Sequence, residues 1–162
     1  SGGYDQLGYG TLTYSVNGPV EDGRYAILSL NSSMLLDAAN GGVVNGTGII
    51  QWPYNGGANQ VWQFEHLGAS KYRITGLASG RALDVSGGAK SDGSTVHLWD
   101  YFGRANQIWR VTPIDNQFFR LCPTHAPASC LDVQGASGVR GAQVQLWRYW
   151  GGFNQQWMLA PR

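Results

Sequence analysis

Charge is scarce in this sequence. Only 13% of its 162 residues are Asp, Glu, Lys or Arg, and the formal net charge is +1. The 11 basic residues are scattered. A broad nucleic-acid footprint needs clustered Lys and Arg, so no nucleic-acid partner is expected. Long apolar runs are missing too. None approaches the roughly 20 residues of a membrane-spanning helix, and no membrane insertion is expected. No stretch reads as a signal peptide. Cysteine is limited to Cys122 and Cys130. Two thiolates with His125 nearby do not complete a four-coordinate metal site, so no metal or other cofactor is expected. Glycine, by contrast, is abundant at 24 residues. It stands in every loop, which argues against long helices.

The two cysteines bracket Pro123-Thr124-His125-Ala126-Pro127-Ala128-Ser129, a turn-rich segment whose ends can meet. A disulfide between them is expected, with two unpaired thiols as the alternative. Closing so short a loop stabilises a fold by roughly 2–3 kcal/mol in the chain-entropy model. Such a bridge belongs to an oxidising compartment, so a secreted, extracellular protein is expected.

The dominant feature is an internal repeat. Asn59-Gln60-Val61-Trp62 recurs as Asn106-Gln107-Ile108-Trp109 and as Asn154-Gln155-Gln156-Trp157, at intervals of 47 and 48 residues. Leu36-Asp37, Leu83-Asp84 and Leu131-Asp132 each precede the corresponding Asn by 22 residues; Trp52, Trp99 and Trp147 precede it by seven. Tyr54, Tyr101 and Tyr149 follow those tryptophans by two. Marks held in register three times identify a repeat architecture. The repeats span about 23–69, 70–116 and 117–162. Residues 1–22 do not match the pattern and are expected to be a linker or the tail of an upstream domain, with Thr11–Val16 as a possible strand. The extra residue of the third interval falls upstream of Asp132, in the cysteine loop.

Each repeat reads as four short strands. In the second these are Tyr72–Thr75, Ala82–Val85, Thr95–Trp99 and Gln107–Val111, separated by Gly-rich turns. Three repeats predict twelve strands in an all-β sandwich or barrel. Units this small cannot each bury a core, so they must share one about a pseudo-threefold axis. Ile27, Ile74 and Leu121, Leu36, Leu83 and Leu131, and Trp62, Trp109 and Trp157 are the residues expected to fill it.

Leu-Asp, a later Trp and Asn-Gln-x-Trp, repeated three times, resemble the ricin B-chain type lectin domain, whose bacterial members on polysaccharide-degrading enzymes are called family 13 carbohydrate-binding modules. The resemblance covers about residues 23–162 and implies a β-trefoil: a six-stranded barrel capped by three hairpins. It also implies metal-free sugar binding, often of galactosides and in some members of xylan or arabinose-containing chains. One shallow pocket per repeat follows: Asp37, Trp52, Asn59 and Gln60; Asp84, Trp99, Asn106 and Gln107; Asp132, Trp147, Asn154 and Gln155. The Asp and Asn would bond sugar hydroxyls, the Trp would stack on the ring, and the Gln would support the Asp. Gln145 holds the family's Gln two before the Trp; His97 and Ile50 replace it in the second and first repeats, and Ile50 cannot bond a hydroxyl. Tyr54, Tyr101 and Tyr149 stand where many relatives have Cys. They either extend the stacking platform or wall the pocket.

These residue types suit a pyranose. An indole covers its C–H face, a carboxylate accepts two hydroxyl hydrogens, and an amide offers a donor and an acceptor. The competing readings make each Asp a cap of its hairpin, each Asn a partner of loop backbone, and Trp52, Trp99 and Trp147 core residues. Trp150 lies outside the repeat pattern, and its exposure would enlarge the third pocket. Catalysis is not expected. Glycoside hydrolysis needs two carboxylates within roughly 10 Å, whereas the three Asp residues fall in separate repeats. His66, His97 and His125 have no Ser or Cys at a recognisable spacing. The sequence therefore points to a monomeric module that binds oligosaccharide or polysaccharide (galactan, xylan or arabinan), targeting a secreted polysaccharide-degrading enzyme. The alternatives are a free-standing secreted lectin and a trefoil that binds protein.

Overall fold

The computed structural model describes residues 18–162; the possible strand at Thr11–Val16 and most of the expected linker lie outside the described residues. Twelve strands run in chain order: β1 Gly23–Ser29, β2 Leu35–Ala38, β3 Ile49–Trp52, β4 Trp62–Gly68, β5 Lys71–Gly76, β6 Ala82–Val85, β7 Ser94–Trp99, β8 Trp109–Pro113, β9 Phe118–Pro123, β10 Ser129–Val133, β11 Val144–Arg148 and β12 Trp157–Pro161. Antiparallel pairing runs β1–β4–β5–β8–β9–β12 and back to β1. That ring is a closed six-stranded barrel, which leaves no unpaired edge among its strands. The other six strands pair as the hairpins β2–β3, β6–β7 and β10–β11. This is the expected β-trefoil.

The hairpins meet about the pseudo-threefold axis in a cyclic set of contacts. Gly48 faces His97, Thr95 faces Gln145, and Gln143 faces Ile50. Corresponding residues of each repeat thus pair with the next, so the position that varies among Ile50, His97 and Gln145 lies at the seams between repeats.

All nine expected core residues are fully buried. Trp62, Trp109 and Trp157 open the barrel strands, and each indole Nε1–H donates to a hairpin carbonyl, those of Leu36, Leu83 and Leu131, at 3.0, 2.9 and 3.2 Å. The polar edge of each large ring is thereby satisfied inside the core, as burial demands. Each carbonyl belongs to the residue just before a repeat Asp, so the core fixes the backbone that carries the candidate pockets.

One expected element differs. Gln107 and Ile108 do not begin a strand. Asn106 and Gln107 sit on a one-turn 3₁₀ segment, Ala105–Gln107, matched by Ala58–Gln60 and Phe153–Gln155. The turn buries the Gln side chain beneath the pocket, which an extended backbone running into the barrel would not allow. Cys122 and Cys130 form a disulfide between β9 and β10. Upstream of the first repeat, Val20 is buried. Its N–H donates to the Tyr72 hydroxyl at 3.1 Å, and that hydroxyl donates to the Val20 carbonyl at 2.5 Å.

Candidate functional site

Each hairpin builds one site in the same way. Asp37, Asp84 and Asp132 lie on its first strand, opposite Ile50, His97 and Gln145 on its second. Trp52, Trp99 and Trp147 stand two residues beyond those partners, on the same strand face. The Asp side chains are buried, while Trp99 and Trp147 are 39% and 38% exposed and Trp52 is intermediate. The tryptophans therefore belong to the surface, and the core reading does not hold for them.

The buried Gln of each 3₁₀ turn organises its site. Gln60 Nε2 donates to Asp37 Oδ2 and to the Pro53 carbonyl, both at 2.9 Å, and its Oε1 accepts the Asn55 N–H at 3.0 Å. Gln107 binds Asp84 Oδ2, the Asp100 carbonyl and the Phe102 N–H at 2.7–2.8 Å. Gln155 binds Asp132 Oδ2, the Arg148 carbonyl and the Trp150 N–H at 2.9 Å. One amide thus orients the carboxylate and pins the loop that follows the stacking Trp. Its orientation is fixed, because only Oε1 can accept the backbone N–H.

The Asn residues have a divided role. Their amide nitrogens donate to the carbonyls of Ala38, Val85 and Val133 at 3.1, 2.9 and 2.9 Å. Asn106 and Asn154 also reach Asp Oδ2 at 3.4 and 3.3 Å. Backbone support is therefore part of what they do. Asn154 Oδ1 is buried and has no hydrogen-bond partner among the described residues.

The second carboxylate oxygen distinguishes the sites. Asp84 Oδ1 meets His97 Nε2 at 2.8 Å, and Asp132 Oδ1 accepts from Gln145 Nε2 at 3.1 Å. Opposite Asp37 the residue is Ile50, which has nothing to donate. His97 also stacks on Trp99, with centroids 5.3 Å apart and rings inclined by 22°. Burial raises Asp37 above the ordinary carboxylate range, with the bonds from Gln60 and Asn59 opposing it. Burial likewise raises Asp132, opposed by Gln145, Gln155 and Asn154.

Open cavities stand above the first two carboxylates. That at Asp84 is about 460 Å³, with Trp99, Phe102, Arg104 and Asn106 among its walls. That at Asp37 is about 280 Å³, lined in part by Trp52, Asn55, Asn59 and Ile50. Tyr54 and Tyr101 line neither. The strand ends at the stacking Trp, so the Tyr does not keep its face. Guanidinium groups cover the tyrosines instead: Arg162 over Tyr54, Arg73 over Tyr101 and Arg120 over Tyr149, at 5.9, 4.7 and 4.8 Å. The residues after Tyr54 and Tyr101, Asn55 and Phe102, take the pocket position. Asn55 is an amide where Phe102 and Trp150 are aromatic, so no one residue type marks the position; what all three share is a backbone N–H held by the Gln. Trp150 is 64% exposed, and its ring lies against Gly152, where a Cβ would fall within 2.4 Å of it. The third site thus carries two exposed indoles, Trp147 and Trp150.

Among the described residues no cluster of His, Cys, Asp or Glu could hold a metal ion. No helix there is long and apolar enough to cross a membrane.

The sequence matches the model of the ricin-type beta-trefoil lectin domain-like family over residues 12–99, 58–147 and 105–162. Among solved structures, the designed threefold-symmetric protein ThreeFoil is 38% identical with a TM-score of 0.85, covering 87% of this chain and all of its own. An exo-β-1,3-galactanase from Clostridium thermocellum is 34% identical with a TM-score of 0.82, over 86% of this chain; the chain spans only 30% of the enzyme's length. A Macrolepiota procera ricin B-like lectin, solved with lactose, shares the fold at 24% identity and a TM-score of 0.71, over 88% of this chain and 99% of its own. No curated protein sequence matches the chain.

Proposed function

The chain belongs to the ricin-type beta-trefoil lectin domain-like family, and from that premise we propose that it binds carbohydrate without catalysis, through three shallow pockets centred on Asp37, Asp84 and Asp132. The observation that carries this reading is the buried carboxylate, aimed by a fully bonded Gln and lying beside a half-exposed indole, built three times over. The indole excludes water from the C–H face of a pyranose while the carboxylate accepts its hydroxyls.

Galactose-containing glycans are the proposed ligands, supported by the likeness to part of a galactanase. The same likeness supports a role as the targeting module of a secreted polysaccharide-degrading enzyme, and the disulfide suits an oxidising compartment. A pocket of millimolar affinity contributes roughly 4 kcal/mol. Two or three acting on one polymer gain through effective concentration. Titration calorimetry with galactose, lactose, xylose and arabinose, then with galactan, xylan and arabinan, tests this. Saturable binding of a galactoside with the polymer preferred is expected. A folded domain that binds none of them would refute it and favour the protein-binding trefoil.

A pH dependence follows. The carboxylates accept hydroxyl hydrogens fully only when ionised. Burial holds Asp37 and Asp132 above the ordinary range. Their pockets should therefore weaken as pH falls, before an exposed carboxylate would protonate. Stability moves the other way. A raised value in the folded state favours folding most at acidic pH, and that contribution is lost as pH rises through the folded value. Titrations between about pH 7 and 4 should show falling affinity while the domain stays folded; affinity unchanged to the acid end would contradict it.

A further inference from the structure

A third cavity, of about 350 Å³, lies behind the pocket loop of the second repeat. Lys71, Arg110, Leu67, Ile108 and Thr124 are among its walls. Lys71 and Arg110 are direct cross-strand partners on β5 and β8. Like charges placed opposite each other disfavour strand pairing, and no carboxylate among the described residues forms an ion pair with either. Glu65, on the neighbouring β4, is already bound to Arg73 at 2.8 Å.

The fold does not require this pair. The corresponding partners are Arg24 and Gln63 in the first repeat and Phe118 and Met158 in the third. A third unpaired cation adjoins them. Arg104 lines the Asp84 pocket with its guanidinium 5.7 Å from the Phe102 ring, and its counterparts are Gly57 and Gly152. Three cations without acidic partners among the described residues thus gather on one repeat of a chain whose net charge is +1.

The loop between the two cavities is one chain thick. Phe102, Arg104 and Asn106 line the Asp84 pocket, while Gly103, Ala105 and Ile108 line the cationic cavity. A glycan seated on Trp99 can therefore cross this wall with its next residues over Lys71 and Arg110. We propose that the cavity is an extension of the second pocket that selects glycans carrying an anionic substituent, a uronate carboxylate or a sulfate ester, close to the galactoside held at Asp84. The cations supply the charge, and Leu67 and Ile108 supply an apolar floor for the sugar ring that bears it. This rests on the carbohydrate-binding reading above.

The test uses galacto-oligosaccharides of one length: neutral, with a single glucuronate, or with a single sulfate. Each is titrated at low and high salt against the wild type and against Lys71→Ala/Arg110→Ala, with thermal melts as a folding check. An acidic chain should bind about tenfold more tightly than the neutral one at low salt. That gain should shrink with salt and vanish in the double variant, while neutral binding stays unchanged. Lys71→Arg/Arg110→Lys should keep the gain, and the arm that shows it identifies the substituent. Equal affinity for neutral and acidic chains, or a gain that survives loss of both cations, would overturn the extension and leave the pockets intact. Failure of every oligosaccharide would overturn both readings. Binding of polyglutamate alone, lost in the double variant, would make the cavity a protein-docking surface and overturn the glycan extension.

Discussion

The triple variant Asp37→Asn, Asp84→Asn and Asp132→Asn should fold, melt no lower than the wild type at neutral pH, and bind no sugar detectable by calorimetry. Each Asn keeps the shape of the Asp and one carbonyl oxygen, enough to accept the Gln60, Gln107 or Gln155 Nε2–H now bound by Oδ2. Its amide nitrogen then occupies the Oδ1 position. Gln145 can turn its own amide to accept there, His97 can present its bare nitrogen, and opposite Asp37 stands only Ile50. The variant loses the charge-assisted acceptor for sugar hydroxyls, and hydrogen bonds to charged groups contribute about 1.5–3 kcal/mol each. From a weak starting site that means at least tenfold per pocket, and loss of all three also removes the gain from simultaneous binding. Stability should not fall, because burial disfavours the charged form of Asp37 and Asp132, a cost that a neutral Asn does not carry. A variant that unfolds would make these carboxylates structural. Undiminished binding would move the sites elsewhere.

Trp109→Ala should have the largest effect on the fold. The indole is fully buried, and its Nε1–H is the donor to the Leu83 carbonyl at 2.9 Å. Removing a core Trp costs about 3–5 kcal/mol, against a total of roughly 5–15 kcal/mol for a domain. Most or all of the stability should go, read as a shift of the urea midpoint. Trp109→Phe should lose less, because it keeps most of the ring volume while orphaning the carbonyl. That carbonyl precedes Asp84, so the Phe variant should also weaken the second pocket while leaving the other two intact. A cost under about 2 kcal/mol for the Ala variant would show that the barrel interior closes over the gap.

The sequence alone determined the threefold plan, because three copies of the same constraint write the same residues at the same offsets. Each copy must fill one third of a shared core, so Leu36, Leu83 and Leu131 and the tryptophans 62, 109 and 157 recur. Each copy also holds a carboxylate with one amide, so Asp37 and Gln60 recur together, as do Asp84 with Gln107 and Asp132 with Gln155. Only the tertiary structure decided what depended on where a strand stops. Two residues past Trp99 the chain has left the sheet, so alternation no longer says which way a side chain points. Tyr101 turns out to lie under Arg73, and Phe102 takes the pocket wall. Nor could spacing along the chain bring Lys71 against Arg110, 39 residues away. Their meeting depends on the register of two barrel strands, which closure of the ring imposes and no local pattern encodes.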